Sequence, residues 1–244
     1  MKKREFPTNT RIVILCGGRG VRLRKLTDTI PKPMIPLHSK PILELAMEHY
    51  HSLGFKHFIF CIGYKGDVIE NAFRNWRDID ASFVRSGEDA SMLQRIYDVR
   101  DRVGGDFIVV YGDTINKANL WELLRTHREN RKQLTMVVSE LQVPFGLVRK
   151  RDRRIVAFNE KPVFEYYVGS FAMSPNAFRH MKPALLAKSD SGGLLGFFRK
   201  MIRMKEVSYF NFNGLKITFN TSLEHTTAEQ QLLNYYTYIG GSTE

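Results

Sequence analysis

The chain has 244 residues, of which 43% are hydrophobic and 25% are charged. These proportions are those of a globular protein, and they exclude a disordered or fibrous chain. Lysine and arginine outnumber aspartate and glutamate by 37 to 25, and the formal net charge of +12 favours anionic partners such as nucleic acid, acidic membrane or phosphorylated ligands.

Short apolar strands alternate with amphipathic helices through the first half of the chain. In chain order the pattern predicts strand 11–16, helix 41–53, strand 57–62, helix 67–76, strand 81–85, helix 92–103, strand 107–111, helix 119–130 and strand 134–141. This alternation predicts an α/β fold, with a Rossmann-like, mostly parallel sheet covered by helices. Ligands of such sheets bind beyond the carboxyl ends of the strands.

The second half of the chain has a different pattern. It predicts a hairpin over 145–150 and 155–160, a strand over 168–173, helices over 194–204 and 225–238, and two short strands between them at 207–212 and 216–219. No linker and no internal repeat interrupts the sequence. We therefore predict one domain over 1–244 with a small β-rich insertion that forms part of the ligand pocket.

The two cysteines each lie at the end of an apolar run, RIVILC for Cys16 and HFIFCI for Cys61. Two cysteines in such positions do not indicate a disulfide framework, so we expect reduced thiols. The apolar run after the basic N-terminal segment extends only over 12–16, which is too short for a signal-peptide core. We therefore expect a cytoplasmic protein with no membrane partner.

A glycine-rich, basic segment, LCGGRGVRLRKLTDTIPKPM at 15–34, follows the first predicted strand. It does not match the Walker spacing, and it fails the dinucleotide fingerprint because Leu23 stands at the third glycine position. The segment is instead a turn whose backbone amides can face a phosphate, with Arg22 directly after it. Lys32 follows between two prolines, which restrict the backbone around it. We interpret the segment as an anion-binding loop.

The residues Gly17-Gly18-Arg19-Gly20-Val21-Arg22-Leu23, Pro31-Lys32-Pro33-Met34 and Lys40-Pro41-Ile42 follow a known order. They resemble the signature G-G-x-G-T-R-L, P-K-P-M and K-P-I of the sugar-phosphate nucleotidylyltransferases. The resemblance covers about residues 11 to 235 and extends to Gly63-Tyr64, Gly112-Asp113, Glu160-Lys161-Pro162 and Gly169. The stretches FCIGYKGDVIENAF and YGDTI are most similar to glucose-1-phosphate cytidylyltransferases.

The resemblance implies a Mg²⁺-dependent enzyme that joins an NTP and a sugar 1-phosphate and releases pyrophosphate. The attacking oxygen is already charged, so positioning and charge neutralisation carry the catalysis. The nucleotide would bind to the part over 11–141 and the sugar phosphate to the part over 142–244. We also expect a homo-oligomer that does not bind nucleic acid.

The resemblance further implies roles for the matching residues. The catalytic residues would be Arg22, Lys32 and Asp113, and the ligands of Mg²⁺ would be Asp113 and Asn220. The nucleotide-binding residues would be Leu15, Gly17, Gly18, Gly20, Arg22, Gly63 and Tyr64. The residues that bind the sugar phosphate would be Glu160, Lys161 and Gly169. Without the resemblance, Asp113 could be a turn residue, and Glu160 and Lys161 the solvated end of a hairpin.

Three departures from the family pattern leave alternatives open. Val21 replaces a threonine before the loop arginine, and Asn220 stands where a second metal-binding aspartate is usual. The segment 86–99 lacks the L-G-T-A-G run of many relatives, which favours CTP, with GTP or UTP as alternatives. Glucose, mannose and heptose phosphates all remain possible. A second hypothesis, based on Asn220, is a catalytically weak homologue that binds nucleotide and regulates a partner.

Overall fold

The computed structural model describes residues 9–240, so 1–8 and 241–244 of the predicted domain lie outside the described residues. Its strands are β1 (Arg11–Leu15), β2 (Pro36–Leu37), β3 (Lys40–Pro41), β4 (His57–Ile62), β5 (Asp80–Arg85), β6 (Phe107–Tyr111), β7 (Thr114–Asn116), β8 (Leu134–Gln142), β9 (Leu147–Arg151), β10 (Arg154–Asn159), β11 (Val163–Met173), β12 (Val207–Asn211) and β13 (Lys216–Thr218). Its α-helices are α1 (Arg24–Thr27), α2 (Ile42–Ser52), α3 (Gly66–Phe73), α4 (Met92–Asp98), α5 (Leu120–Asn130), α6 (Pro183–Leu186), α7 (Leu194–Arg203) and α8 (Ser222–Gly240). Within 9–240 none of these helices is long and apolar enough to cross a membrane.

Seven strands form one sheet in the order β12-β8-β11-β6-β1-β4-β5. The pairs β1–β4, β1–β6, β4–β5 and β8–β12 are parallel, whereas β11 is antiparallel to both of its neighbours. The predicted Rossmann-like, mostly parallel sheet is thereby confirmed. The predicted hairpin forms from β9 and β10, which make a separate two-stranded sheet.

Several elements differ in length from their predictions, among them the helix predicted over 225–238, which covers Ser222–Gly240. Two further differences concern α4 and β11. The helix predicted over 92–103 ends at Asp98, and the chain continues in turns in which the N–H of Arg100 bonds to the carbonyl of Tyr97. The strand predicted over 168–173 begins earlier, at Val163, because its first residues pair with the end of β8. Neither difference moves the carboxyl ends of the central strands.

Both faces of the sheet are covered, which explains the continuous apolar runs of its central strands. Along β1, Ile12 and Ile14 belong to a cluster with residues of α2 and α5. Val13 and Leu15 belong to a second cluster, with residues of α4 and α7.

A third apolar cluster holds the C-terminal part of the chain against the glycine-rich segment. It contains Leu23 from that segment, Ile35 directly after it, Ile217 and Phe219 in and after β13, and two residues of α8. In addition, β13 pairs with β7, which begins directly after Asp113. This packing returns the residues after β13 to the carboxyl end of β6.

Arg95 on α4 ties together three segments at this edge of the sheet. Its side chain is buried, and its guanidinium donates to the carbonyl oxygens of Ile62, Gly17, Gly87 and Glu88 at 2.8 to 3.2 Å. Burial lowers the pKa of Arg95. Because a buried cation is costly without hydrogen bonds, the four carbonyl groups are what make this position possible.

Two glycines make room for this guanidinium. A Cβ on Gly17 would lie 2.2 Å from Arg95 Nη1, and a Cβ on Gly63 would lie 2.7 Å from the same atom. A Cβ on Gly18, in contrast, would meet nothing within 4 Å. The structure therefore gives Gly17 and Gly63 a packing reason that the sequence motif alone does not reveal.

A buried histidine joins α5 to the sheet at the opposite edge. His127 lies 2.8 Å from Thr135 Oγ1 and 2.9 Å from Ser174 Oγ, and Ser174 donates to Asp106 Oδ1 at 2.8 Å. Burial lowers the pKa of His127, which outweighs the opposing effect of Asp106. The ring is therefore buried in its neutral form.

We predict that Gly17→Ala lowers the free energy of unfolding by about 1 to 3 kcal/mol, the usual cost of overpacking, because the added methyl group collides with Arg95. Gly18→Ala is the matched control and should leave stability within about 0.5 kcal/mol of the wild type. Denaturant unfolding of the ligand-free protein measures both values. Equal stability of the two variants would contradict the assigned packing role of Gly17.

We predict that the protein loses stability as the pH falls below about 6.5, the usual pKa of histidine. The pKa of His127 is lowered in the folded state, so the unfolded chain binds the proton more readily in this range. Urea unfolding at several pH values should show a weaker dependence of stability on pH for His127→Gln than for the wild type. Burial also lowers the pKa of His49, which accounts for a residual slope. An unchanged slope in His127→Gln would contradict this assignment.

Candidate active site

A cavity of about 890 Å³ lies at the carboxyl ends of β1 and β6. Its walls come from the glycine-rich loop, from the start of α4, from the middle of β11 and from β13. The predicted site residues among its lining are Leu15, Gly17, Gly18, Gly20, Arg22, Lys32, Asp113, Gly169 and Asn220. The structure therefore brings together residues that are up to 205 positions apart in the sequence.

The glycine-rich loop closes in a tight turn at its third glycine. Gly20 has a φ of +61°, and its carbonyl accepts hydrogen bonds from the Leu23 amide at 2.9 Å and from Thr27 Oγ1 at 3.3 Å. A Cβ on Gly20 would lie 3.1 Å from Cβ of Lys32. Glycine is therefore needed both for the backbone conformation and for the approach of Lys32.

Lys32 lies at the centre of the polar contacts in the cavity. It begins a short 3₁₀ turn, Lys32–Met34, and its side chain is only 8% exposed. Its ammonium group donates to Asp113 Oδ2 at 2.5 Å and to Asn220 Oδ1 at 3.2 Å. It also lies 5.6 Å from the centroid of the Phe219 ring. One cation thus connects the loop, the end of β6 and the segment after β13.

Asn220 joins a second cation to this group. Arg22 donates to Asn220 Oδ1 at 2.8 Å, so the amide oxygen accepts from both cationic side chains. The backbone of Asn220 is held in turn, because its N–H donates to Glu224 Oε2 at 2.7 Å at the start of α8. Asp113 and Asn220 therefore accept hydrogen bonds from the same ammonium group, and their predicted role as metal ligands remains a prediction.

Burial keeps a phenol and two thiol groups at or near the cavity in their neutral forms. Burial raises the pKa of Tyr111 to about 12 and that of the Cys61 thiol to about 12, and it raises the pKa of Cys16 as well. Both cysteines are free and buried. Among residues 9–240, no histidine lines the cavity. The arrangement therefore favours charge neutralisation of a polyanion over attack by a side-chain nucleophile.

Four predicted residues lie outside the cavity lining. Gly63 packs against Arg95, and Tyr64 contacts the back of the loop, donating from its amide to the Gly17 carbonyl at 3.0 Å. Glu160 and Lys161 are exposed and lie between β10 and β11. The β9–β10 hairpin also lies outside the lining, and β11 and β13 form the wall that we expected of it. The assigned roles of Glu160 and Lys161 remain predictions.

Sequence reasoning assigned no role to three basic residues of the cavity, which are Arg19, Arg95 and Lys216. Arg95 lies on an amphipathic helix, where a single arginine looks like a surface residue. Lys216 lies in a short strand whose partner is about 100 residues away, so its position depends on the fold. The sequence held a signal for Arg95 in Gly17 and Gly63, which follow β1 and β4. Only the structure shows that both glycines make room for the Arg95 side chain.

The family of this chain follows from comparison with known proteins. The family model described as nucleotidyl transferase matches residues 11–210. A structure of HddC from Yersinia pseudotuberculosis superposes with a TM-score of 0.69 at 20% identity, over 91% of this chain and 99% of that one. At this identity the similarity shows the fold.

Two curated relatives are similar in sequence. A probable glucose-1-phosphate cytidylyltransferase of Bacillus subtilis is 30% identical, over 70% of this chain and 77% of its own length. A mannose-1-phosphate guanylyltransferase of Mycobacterium tuberculosis is 30% identical, over 73% of this chain and 56% of its own. The chain spans only about half the length of several other relatives that it matches. With its loop, cavity and fold in agreement, the chain belongs to the nucleotidyl transferase family, that of the sugar-phosphate nucleotidylyltransferases whose motifs it carries.

Proposed function

We propose that the chain transfers a nucleotidyl group from CTP to a sugar 1-phosphate. The observation that carries the proposal is the meeting of Arg22, Lys32, Asp113 and Asn220 beside a glycine-rich loop in one cavity. Two cations beside a glycine-rich turn are suited to a triphosphate. The oxygen ligands next to them are suited to the metal ion that accompanies it.

In the proposed reaction, an oxygen of the sugar phosphate attacks the α-phosphorus of the nucleotide. The bond from the α-phosphorus to the bridging oxygen breaks, and pyrophosphate leaves with that electron pair. Lys32 would neutralise charge at the α-phosphate, and Arg22 would bind the leaving phosphates. Because the nucleophile is already an anion, the protein's main contribution is to hold two polyanions in line.

The residues present fit a magnesium ion. Asp113 Oδ2 and Asn220 Oδ1 both face the ammonium group of Lys32, so two oxygen donors converge on a position that a cation occupies. Mg²⁺ prefers oxygen ligands and is commonly bound by one or two carboxylates together with substrate phosphates. When bound, it would neutralise part of the phosphate charge. The amide of Asn220 supplies an oxygen without a formal charge.

CTP is the proposed nucleotide because the order of the segment 86–99 resembles that of the cytidylyltransferases, although the segment lacks their paired glycines. The similarity to the Bacillus subtilis protein supports this choice, whereas the Mycobacterium tuberculosis relative supports GTP as the alternative. On the sugar side, Gly169 has a φ of +84° and lies in the cavity wall, where it would let the sugar approach the backbone. A cytoplasmic location and homo-oligomeric assembly are part of the same proposal.

A second candidate function is a weakly active homologue that binds nucleotide and regulates a partner. The observation that favours it is Asn220, which leaves Asp113 as the single carboxylate in contact with Lys32 among the described residues. Both candidates require the nucleotide to bind in the same cavity. They differ in the turnover that the protein shows.

We predict that the protein releases pyrophosphate only when an NTP, Mg²⁺ and a sugar 1-phosphate are all present, and fastest with CTP. The assay uses CTP, UTP, GTP, ATP and dTTP against glucose, mannose and heptose 1-phosphates. Asp113→Asn should lower kcat by about 100-fold or more, a typical cost of losing an electrostatic contact to the transition state. Asp101→Asn is the control. No pyrophosphate in any combination would contradict the proposed function.

We predict that Asn220→Asp lowers the Mg²⁺ concentration needed for half-maximal turnover, because it adds a second carboxylate beside Asp113. We expect kcat to change by less than about threefold, since Asn220 already supplies an oxygen ligand. Asn234→Asp on α8 makes the same charge change outside the cavity and should have no effect. A gain in kcat of about 100-fold would favour the regulatory homologue instead, because the natural protein would then be nearly inactive.

A further inference from the structure

A second, smaller cavity of about 480 Å³ adjoins the proposed nucleotide site. Its walls come from the glycine-rich loop, from residues within 88–94 and from residues within 186–190. The residues that line both cavities are Gly18, Arg19, Ala90 and Asp190. Because the two cavities meet at the loop, a nucleotide whose phosphates lie beside the loop can extend into the smaller one.

The charges around the smaller cavity favour a neutral group over a phosphate. Its ionisable lining residues are two cations and three carboxylates, namely Arg19, Lys188, Glu88, Asp89 and Asp190. Carboxylates repel phosphate groups, which are better placed beside Arg22 and Lys32 in the larger cavity. The part of an NTP that suits the smaller cavity is therefore its base, which is uncharged and carries hydrogen-bond donors and acceptors.

An ion pair at the boundary of the two cavities offers both a donor and an acceptor to such a base. Arg19 Nη2 donates to Glu88 Oε2 at 2.6 Å, and each side chain is 49% exposed. Arginine has five N–H donors, and a carboxylate has two acceptor oxygens. Within the described residues, Glu88 Oε1 has no hydrogen-bond partner. Both members of the pair therefore keep hydrogen-bonding capacity on their exposed sides.

The two members of this pair are held in a fixed order. The buried guanidinium of Arg95 donates to the carbonyl of Gly17, two residues before Arg19, at 3.1 Å and to the carbonyl of Glu88 at 3.2 Å. The Arg19 guanidinium also lies 5.4 Å from the centroid of the Tyr64 ring, which supports it from the side. The donor and the acceptor thus keep their positions relative to each other.

A donor and an acceptor in fixed order distinguish the bases. Cytosine carries an amino group at C4 next to the acceptor N3, and adenine carries the same order at C6 and N1. Uracil, thymine and guanine carry the reverse order, a carbonyl oxygen next to a ring N–H. A carboxylate accepts a hydrogen bond from N4 of cytosine, whereas it repels O4 of uracil.

We propose that Arg19 and Glu88 form the pair that recognises the base, with Glu88 accepting from the 4-amino group of cytosine and Arg19 donating to N3. The inference rests on the proposed function, because it names the residues that select its nucleotide. The base would make these contacts without breaking the ion pair, since each member has free hydrogen-bonding capacity. Neither charge would then be buried alone.

The test compares Glu88→Gln with the wild type and with Glu129→Gln, a control at an exposed position of α5. Glutamine both accepts and donates, so it is compatible with either order of groups. We expect the ratio of kcat/KM for CTP over UTP to fall at least about tenfold in Glu88→Gln and to stay within about twofold in the control. An unchanged nucleotide preference, or a changed KM for the sugar 1-phosphate alone, overturns the proposal.

A CTP analogue without the amino group tests the contact itself. Calorimetry with Mg²⁺ and no sugar phosphate compares CTP with pyrimidin-2-one riboside triphosphate, in which hydrogen replaces the 4-amino group. The wild type should bind the analogue at least about tenfold more weakly than CTP, and Glu88→Ala should bind the two within about twofold of each other. Equal affinity of the wild type for both nucleotides would sink the proposed contact.

Because calorimetry needs no turnover, it separates failure of this proposal from failure of the proposed function. A preference for CTP that Glu88→Ala loses, without turnover in any assay, contradicts the enzyme activity and supports the role of the pair. Turnover with an unaltered nucleotide preference in Glu88→Gln supports the activity and contradicts the role. Equally weakened binding of CTP, UTP and the analogue in Glu88→Ala would show a structural role only, and this too overturns the proposal.

Discussion

The contact between Lys32 and Asp113 is the interaction on which the geometry of the cavity depends. It joins a residue of the glycine-rich segment to the end of β6, and Asn220 joins the C-terminal part of the chain to the same ammonium group. The lysine is nearly buried, so its charge needs a partner when no ligand is bound. Asp113 provides that partner, and it is also the group that a metal ion would use.

In the ligand-free cavity the charges of Lys32 and Asp113 neutralise each other, and a bound substrate would change this pairing. A bound Mg²⁺ would bring positive charge to Asp113, and a bound triphosphate would bring negative charge to Lys32. Each of the two paired residues would then have a new partner of opposite charge. The protein would exchange its own ion pair for ion pairs with the substrate and would not have to bury an isolated charge. Mutual neutralisation also explains why the cations and one carboxylate can lie so close together.

Arg95 provides the rigid counterpart on the other side of the loop. Its four hydrogen bonds to backbone carbonyls connect the first residues of the loop to the segment 86–89. That segment lacks the L-G-T-A-G run of many relatives, and the proposed choice of CTP rests on it. A change in α4 would therefore alter both the loop and the neighbouring segment.

Much of the fold and part of the site could be predicted from sequence. The periodic patterns located the strands, and the loop motif located Arg22 and Lys32, because each depends on neighbours in the chain. Arg95 and Lys216 could not be identified as cavity residues from sequence, because their positions depend on contacts between distant segments. Glu160 and Lys161, which a motif assigned to the site, lie between β10 and β11 and are not among the residues that line the cavity, so their roles remain predictions.

The central claim is that Lys32 binds the phosphates of the nucleotide in partnership with Asp113. Calorimetric titration with CTP, in the presence and absence of Mg²⁺, tests it most directly on the wild type and Lys32→Met. The account predicts Mg²⁺-enhanced binding to the wild type and at least about tenfold weaker binding to the variant, since a charge-assisted contact is lost. Equal CTP affinity in the two proteins, with both folded, would contradict the account.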